Sequence, residues 1–178
     1  MKFRIVNIAA TTDLRQPINL QALSVQKGFS YDLNVYHGRC AYLKNHQTRG
    51  TVSVFSSGKM ISVGTRDYDS AHSDLKYAAN RLFAISAAKP TNFKVTIQNI
   101  VATCDLGFNL NLEKLSQSLR HIIYDPEQYA AAIYYARNLG GASILLFHNG
   151  KVGIAGLRRI TQLREVEKEL NSLSVWKE

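Results

Sequence analysis

The stretch that decides the fold is Ile97-Gln98-Asn99-Ile100-Val101-Ala102-Thr103-Cys104-Asp105-Leu106. It already occurs once earlier in the chain, as Ile5-Val6-Asn7-Ile8-Ala9-Ala10-Thr11-Thr12-Asp13-Leu14. Seven of these ten positions are identical, at an offset of 92 residues. Self-similarity of this kind indicates one structural unit written twice. We therefore predict a first repeat over residues 3–86 and a second over residues 93–175.

Further matches extend outward from this stretch in the same order. Phe55-Ser56-Ser57-Gly58-Lys59-Met60 meets Phe147-His148-Asn149-Gly150-Lys151-Val152 at the offset of 92, as Gly64 meets Gly156 and Arg66 meets Arg158. Tyr36 meets Tyr129 at an offset of 93. The first copy must then carry one extra residue between Tyr36 and Phe55. Two such copies imply approximate twofold symmetry.

Each copy predicts the same order of elements. A β-branched strand comes first, at 2–11 and 94–103. A short helix follows, which in the second copy has Leu112, Leu115, Leu119 and Ile122 on one face. Three strands come next, near 36–44, 51–56 and 59–64, and near 129–137, 143–148 and 151–155, with Gly-Lys turns before the last of each set. A longer amphipathic helix closes each copy, marked by apolar positions from Ala71 to Ile85 and from Ile160 to Leu173.

This order predicts helices that cover only one face of an antiparallel sheet. Side chains alternate along a strand, so Val52, Val54, Ile144 and Leu146 are expected to pack on the helices. The opposite face then carries the apolar side chains of Phe55, Phe147, Leu145, Ile61 and Val63. A large apolar face without a helix to cover it indicates a partner.

Composition bounds the kind of partner. The chain has 178 residues, is 46% hydrophobic and carries a formal charge of +9, which favours a polyanion such as nucleic acid. No apolar run approaches the roughly 20 residues that span a bilayer, and no signal peptide is evident, so we expect an intracellular protein without membrane contact. Neither the two cysteines, Cys40 and Cys104, nor the five histidines have metal or redox spacing, so no metal or cofactor is expected.

The run at 98–103, the run at 55–60 and Tyr124-Asp125-Pro126-Glu127-Gln128-Tyr129 together resemble the TATA-binding-protein family, from about Phe3 to Leu173. The resemblance implies an α+β saddle of two pseudo-symmetric repeats, a curved antiparallel sheet with helices on its convex face. It implies a general transcription factor, not an enzyme, that binds A·T-rich TATA-box promoter DNA in the minor groove and kinks it with aromatic wedges; the family itself is a standard example of such binding. Its implied partners are double-stranded promoter DNA, transcription factor B and, indirectly, RNA polymerase.

The family's functional positions fall on definite residues of this chain. Base-edge contacts fall on Asn7 and Asn99, and other groove-facing positions on Ala9, Val101, Ile61, Val63, Leu145, Gly153 and Ala155. The intercalating positions fall on Tyr36, Phe55, Tyr129 and Phe147. Phosphate contacts fall on Lys59, Arg66, Lys151 and Arg158, with Lys44 and Arg137 expected to replace family arginines that fall on Tyr42 and Tyr135. The surface for transcription factor B falls on Asp125, Glu127 and Gln128.

Departures from the family pattern leave other functions open. Two wedges are tyrosine, and Gly153 stands where the family has a larger apolar residue, which allows a divergent paralogue with relaxed DNA specificity and a specialised partner. An accessory domain of a nucleic-acid enzyme is opposed by the lack of a catalytic cluster. A small-ligand binder is opposed by the flanking cations. The expected compartment is the cytoplasm and nucleoid if the source is archaeal, which the short N-terminus favours, and the nucleus if it is eukaryotic.

Overall fold

A computed structural model describes residues 1–172, apart from the side chain of Arg137. The chain divides into two compact units, one formed by Asn7–Gln98 and the other by Met1–Val6 with Asn99–Glu178. We call them the first and the second unit. None of the helices in residues 1–172 has the length and apolar character needed to cross a membrane.

The first unit is a five-stranded antiparallel sheet with one long helix. Its strands are β1 (Arg4–Asp13, whose first residues belong to the second unit), β2 (Phe29–Tyr31), β3 (Cys40–Leu43), β4 (Thr51–Phe55) and β5 (Lys59–Thr65), in the spatial order β2-β3-β4-β5-β1. Single 3-10 turns lie at Leu20–Leu23 and Tyr36–Gly38. Helix α1 (Tyr68–Ala84) packs on β4 and β5. It begins at Tyr68 because the side chain of Asp67 accepts hydrogen bonds from the Ser70 amide and hydroxyl, at 2.7 and 2.8 Å.

The second unit repeats this plan. Its strands are β6 (Thr96–Asp105, whose first residues belong to the first unit), β7 (Ile122–Ile123), β8 (Ala131–Ala136), β9 (Ala142–Phe147) and β10 (Lys151–Leu157), in the order β6-β10-β9-β8-β7. Its helices are α2 (Leu112–Ser118) and α3 (Gln162–Ser172), with a 3-10 turn at Arg137–Leu139. The α+β class, with helices and an antiparallel sheet in each repeat, is confirmed.

The core of each unit lies between the sheet and its helix, as the alternation of apolar residues predicts. Val52, Val54, Ile144 and Leu146 are all 0% exposed. The buried residues of the helices are Leu75, Ala78 and Leu82 of α1, which packs on β4 and β5, and Val166 and Leu170 of α3. Each fully buried Val, Leu or Ile contributes about 1.5–3 kcal/mol relative to exposure. This burial fixes which face of each sheet stays uncovered.

Several element boundaries differ from the sequence prediction. Helix α2 ends at Ser118 because Leu119 has an extended backbone (φ −103°, ψ 136°), and Ile122 lies in β7. In the first unit the corresponding helix is only the 3-10 turn at Leu20–Leu23. The strand expected near 36–44 begins at Cys40, because Tyr36 and His37 have left-handed backbones (φ 48° and 52°). Leu173, the last position of the predicted closing helix, lies outside the described residues.

Candidate nucleic-acid interface

In each unit the sheet face opposite the helix carries the groove-facing residues expected from the sequence. Along β5, Met60 and Ser62 are fully buried, whereas Ile61 is half-buried and Val63 is 37% exposed. Along β10, Val152 and Ile154 are buried, whereas Gly153 and Ala155 are half-buried. Ala9, Val101 and Leu145 follow the same alternation on their strands. We call this uncovered apolar surface the open face. It comprises Ala9, Ile61 and Val63 in the first unit and Val101, Leu145, Gly153 and Ala155 in the second.

A β-bulge in each unit positions the two asparagines. Ile8 pairs with Thr65 but Ala10 pairs with Ser62, so β5 carries an extra residue there. Gly64 lies in that bulge with φ +91°, a left-handed conformation that favours glycine. Its amide donates to the Asn7 side-chain oxygen Oδ1 at 2.7 Å. In the second unit the amide of Gly156 (φ +94°) donates to Asn99 Oδ1 at 2.8 Å.

These two asparagine–glycine contacts decide what each side chain can offer a ligand. An asparagine amide has one accepting oxygen and two N–H donors. The bulge amide engages the oxygen, which leaves the Nδ2 group of Asn7 and Asn99 without a hydrogen-bond partner among residues 1–172. Each asparagine therefore presents donors, and its best ligand carries acceptors. The minor groove of an A·T pair shows only acceptors, N3 of adenine and O2 of thymine.

Aromatic side chains stand at the end of one strand of the open face in each unit. Phe55 ends β4 and Phe147 ends β9, both half-buried. The ring of Tyr129 meets Phe147 edge-on, with centroids 6.4 Å apart and planes at 67°. Tyr36 is more exposed, at 67% against 48% for Tyr129, because it lies in the left-handed turn. All four predicted wedges are thus exposed in part, and the two in the second unit are in contact.

A pocket lies beside the wedge phenylalanine of each unit. That of the first unit has a volume of about 880 Å³ and is lined by Phe55, Thr11, Asp13 and Ile61 with the cations Arg15, Lys59 and Lys94. That of the second unit has about 500 Å³ and is lined by Phe147, Thr103, Asp105 and Gly153 with the cations Lys2, Arg4 and Lys151. The positions of the two linings largely repeat at the offset of 92. Sequence reasoning predicted Lys59 and Lys151 but missed the other lining cations and both threonines. Strand alternation, continued from Ala9 and from Val101, reaches Thr11 and Thr103.

The predicted phosphate-binding cations are mostly available. Lys59, Arg66, Lys151 and Arg158 are exposed, and within the described part of the chain the only ion pair joins the Met1 amino group to Glu167. Lys44 differs, because its ammonium donates to the carbonyls of Arg49 and Gly50 at 2.8 and 2.9 Å and so fastens the loop that follows β3. The side chain of Arg137 is outside the described structure.

The strand ladders also revise one internal match. Tyr42 lies opposite Ser53, and Ser53 corresponds to Leu145, which lies opposite Ile133. The counterpart of Tyr42 is therefore Ile133, and the sequence alignment of Tyr42 with Tyr135 is wrong. Tyr135 lies opposite Ser143 instead. Compared with the second copy, the first has two more residues between Tyr36 and Tyr42 and one fewer between Tyr42 and Phe55. The change in offset from 93 to 92 shows only the sum of these two differences.

The residues expected to bind transcription factor B lie on one exposed turn. Asp125 accepts the Glu127 amide on Oδ1 at 3.1 Å, and its carbonyl accepts the amides of Gln128 and Tyr129 at 3.2 and 2.9 Å. All three predicted side chains are exposed. The turn presents two carboxylates immediately before Tyr129.

The two cysteine thiols and the candidate metal ligands show no reactive arrangement among residues 1–172. Burial, together with the neighbouring Asp105, raises the pKa of the Cys104 thiol to about 11. Burial also raises the pKa of the Cys40 thiol. Both thiols are therefore protonated at neutral pH and poor nucleophiles. No cluster of His, Cys, Asp or Glu within residues 1–172 could hold a metal ion.

A duplicated α+β unit with an uncovered sheet face is the class of protein that this geometry defines. The family model of "Transcription factor TFIID (or TATA-binding protein, TBP)" matches residues 2–85 and 94–173. The TATA-box-binding protein of Cenarchaeum symbiosum is 35% identical over 167 residues, which are 94% of this chain and 91% of that protein. That of Archaeoglobus fulgidus is 28% identical over 181 residues, which cover 98% of this chain and 97% of the relative. The solved structure "Methanococcus jannaschii TBP" has the same fold, with a TM-score of 0.83, 24% identity and 96% of each chain covered.

The chain belongs to the TATA-binding protein family of transcription factors.

Proposed function

We propose that this general transcription factor binds A·T-rich, TATA-box promoter DNA by placing its open faces in the minor groove. The two asparagine–glycine contacts are the observation that carries the proposal. They leave the Nδ2 donors of Asn7 and Asn99 without a partner among residues 1–172, and A·T pairs present only acceptors in that groove. The names of the archaeal relatives, TATA-box-binding proteins, support the same ligand.

Kinking of the DNA follows from the aromatic ends. In the proposed complex the base steps are entered by Phe55 and Tyr36 of the first unit and by Phe147 and Tyr129 of the second. Bending a site of 20–30 base pairs costs roughly 1–6 kcal/mol by elastic estimates. An aromatic side chain buries about 150–250 Å², so covering the remaining half of each ring returns roughly 2–3 kcal/mol. Four such rings offset the bend.

Phosphate binding is assigned to Lys59, Arg66, Lys151 and Arg158. Their charges are unpaired within residues 1–172, so each can neutralise a phosphate and release its counterion. The overall charge of +9 favours the same partner. Lys44 has at most one donor left after its two loop carbonyls and contributes less.

The turn at Asp125, Glu127 and Gln128 is the proposed docking surface for transcription factor B, through which RNA polymerase is brought to the promoter. Its exposed carboxylates suit a basic partner surface. The protein acts inside the cell, on the archaeal nucleoid if it shares the setting of its relatives. It performs no chemistry of its own and needs no metal or cofactor.

The test is a band-shift titration of the full chain with an A·T-rich duplex and a G·C-rich control at several salt concentrations. We expect preference for the A·T duplex, a steep loss of affinity with salt and a bend that resonance energy transfer between the DNA ends detects. Phe55→Ala with Phe147→Ala should abolish the bend. Tyr68→Ala, which removes an exposed aromatic of α1, is the matched control and should leave the bend in place.

Two results would contradict the proposal. Equal affinity for both duplexes would favour the alternative, a paralogue that keeps the fold with relaxed DNA specificity. A bend that survives the double phenylalanine change would show that the wedges are assigned to the wrong side chains.

A further inference from the structure

The two units differ at one step of their open faces. In the first unit Ile61 lies between Thr11 of β1 and Ser53 of β4. In the second unit Gly153 lies between Thr103 of β6 and Leu145 of β9. The isoleucine side chain that fills this step in one unit is therefore absent in the other. We call the space above Gly153, bounded by Thr103 and Leu145, the Gly153 notch.

The backbone does not require glycine at this position. Gly153 does not have a positive φ, unlike Gly150 and Gly156 on either side. A Cβ added there would meet Leu145 Cδ1 at 3.4 Å and Leu145 Cβ at 3.6 Å, which are ordinary contacts. Glycine weakens a strand interior, and it often marks a site where a ligand approaches closely. The notch is thus a feature of the surface and not of the fold.

The hydroxyl on the wall of the notch has no hydrogen bond among the described residues, whereas its counterpart already accepts one. In the first unit the Gln98 amide Nε2 donates to Thr11 Oγ1 at 2.9 Å. The residue corresponding to Gln98 is Val6, whose side chain cannot donate a hydrogen bond. Thr103 Oγ1 has no hydrogen bond to any residue that the structure describes. The first unit therefore has an isoleucine, flanked by Ser53, beside a hydroxyl that already accepts one hydrogen bond. The second unit has a glycine, flanked by Leu145, beside a hydroxyl without a hydrogen bond among the described residues.

We propose that the Gly153 notch admits the exocyclic amino group of guanine, so that the half-site under the second unit accepts a G·C pair that the first unit rejects. In the minor groove, G·C differs from A·T by this N2 donor, which protrudes from the groove floor. The notch gives it room, and Thr103 Oγ1 accepts a hydrogen bond from the amino group. Ile61 would collide with the same group. The inference rests on the proposed minor-groove binding.

An asymmetric site follows from this difference. A promoter with one G·C pair in one half binds with that half under the second unit, so the notch sets the direction in which the protein lies on the DNA. A site with G·C in both halves leaves one amino group against Ile61.

The test uses quasi-symmetric A·T duplexes in which one base pair is replaced at each position of one half in turn, or at matching positions of both halves. Two base analogues isolate the amino group: inosine·C lacks it, and 2,6-diaminopurine·T adds it to an A·T pair. At the notch position, one diaminopurine should bind close to the parent duplex. Two should lose about tenfold or more, the usual cost of one unfavourable pair. Two inosines should bind like the parent.

Three variants locate the effect, each measured as the ratio of affinities for the substituted and parent duplexes. Gly153→Ile should make a single diaminopurine as costly as two are in the unaltered chain. Thr103→Val keeps the shape, removes the acceptor and should raise the cost of one diaminopurine. Ile61→Gly with Gln98→Val rebuilds the notch in the first unit and should restore binding to the doubly substituted duplex.

The outcomes separate the two proposals. If the unaltered chain fails to prefer the A·T duplex over a G·C-rich one, minor-groove promoter binding itself is wrong. If that preference holds but one diaminopurine costs the same in the unaltered chain and in Gly153→Ile, the notch is overturned. Should Gly153→Ile fold poorly, Thr103→Val still decides, because an unchanged ratio in that variant also contradicts the assignment.

Discussion

The two units are nearly identical where they hold their asparagines and different where they shape the rest of the open face. The contacts of Asn7 with Gly64 and of Asn99 with Gly156 differ by 0.1 Å. Three residues before the bulge glycine on the same strand, the first unit has Ile61 where the second has Gly153. The backbone is left-handed at Tyr36 but not at Tyr129. The asparagines, which form directional hydrogen bonds, are alike in the two units, whereas side chains that set the volume of the open face differ.

The anchoring of each helix extends this comparison to stability. In the first unit the buried Asp74 of α1 (2% exposed) accepts the amides of Arg49 and Gly50 at 3.0 and 2.7 Å. In the second unit a neutral side chain, Gln162 of α3, accepts the amides of Arg158 and Arg159, both at 2.9 Å, and donates to the Leu139 carbonyl. A buried charge therefore holds one loop, and an amide holds the other.

The largest expected effect comes from removing these anchors. Asp74→Ala leaves two amides without their charged acceptor and should lower the free energy of unfolding by about 3 kcal/mol. Gln162→Ala leaves amides of exposed residues, which water can reach, and should cost about 1–2 kcal/mol. Urea unfolding measures both, with Asp69→Ala, an exposed carboxylate of α1, as control. Equal losses would mean that the charge gives the first anchor no advantage.

Replacing the bulge glycines, Gly64 and Gly156, with alanine should destabilise the protein by an intermediate amount, and the two positions should differ. Alanine at Gly64 or Gly156 must adopt a left-handed backbone, at a cost of about 1 kcal/mol or more. At Gly156 its Cβ would also lie 3.2 Å from Ala142 Cα, whereas at Gly64 the nearest atom, Gly50 Cα, is 3.7 Å away. Gly156→Ala should therefore destabilise by about 2 kcal/mol and Gly64→Ala by about 1.

Gly153→Ala is the reference variant for the same urea-unfolding experiment. Gly153→Ala has no left-handed strain and ordinary contacts, so it should be neutral or slightly stabilising. A larger loss at Gly64 than at Gly156 would show that the two bulges are less alike than their asparagine contacts indicate.

The smallest effect is a response to acid at the start of α1. Hydrogen bonds from the Ser70 amide and hydroxyl hold the pKa of Asp67 below its usual value. The folded pKa is lower than the unfolded one, so the stabilisation is present above about pH 4 and is lost as pH falls through the folded pKa. At the start of α3, the amide side chain of Gln162 does not titrate. The stability difference between the unaltered chain and Asp67→Asn should shrink between pH 6 and pH 3; a constant difference would contradict the assignment.

Sequence periodicity predicted the open face well because it depends on strand alternation, a local property. It failed at β2 and β7, which have three and two residues and exist only through pairing with β3 and β8. The leucine spacing that extended α2 to Ile122 could not reveal that the chain turns extended at Leu119. The partner of Asn7 was equally invisible, because the bulge that offers the Gly64 amide is set by the register between β1 and β5.

The asparagine–glycine contacts have a consequence for how sharply a sequence is read. Each asparagine rotamer is fixed during folding, so association does not bear the roughly 0.5–1.5 kcal/mol that ordering such a side chain costs at an interface. A fixed donor also cannot rotate to present its oxygen to a guanine amino group. In the proposed complex each asparagine therefore contacts base edges as a rigid group, and we expect tolerance for other base pairs at positions where a side chain of the open face is small.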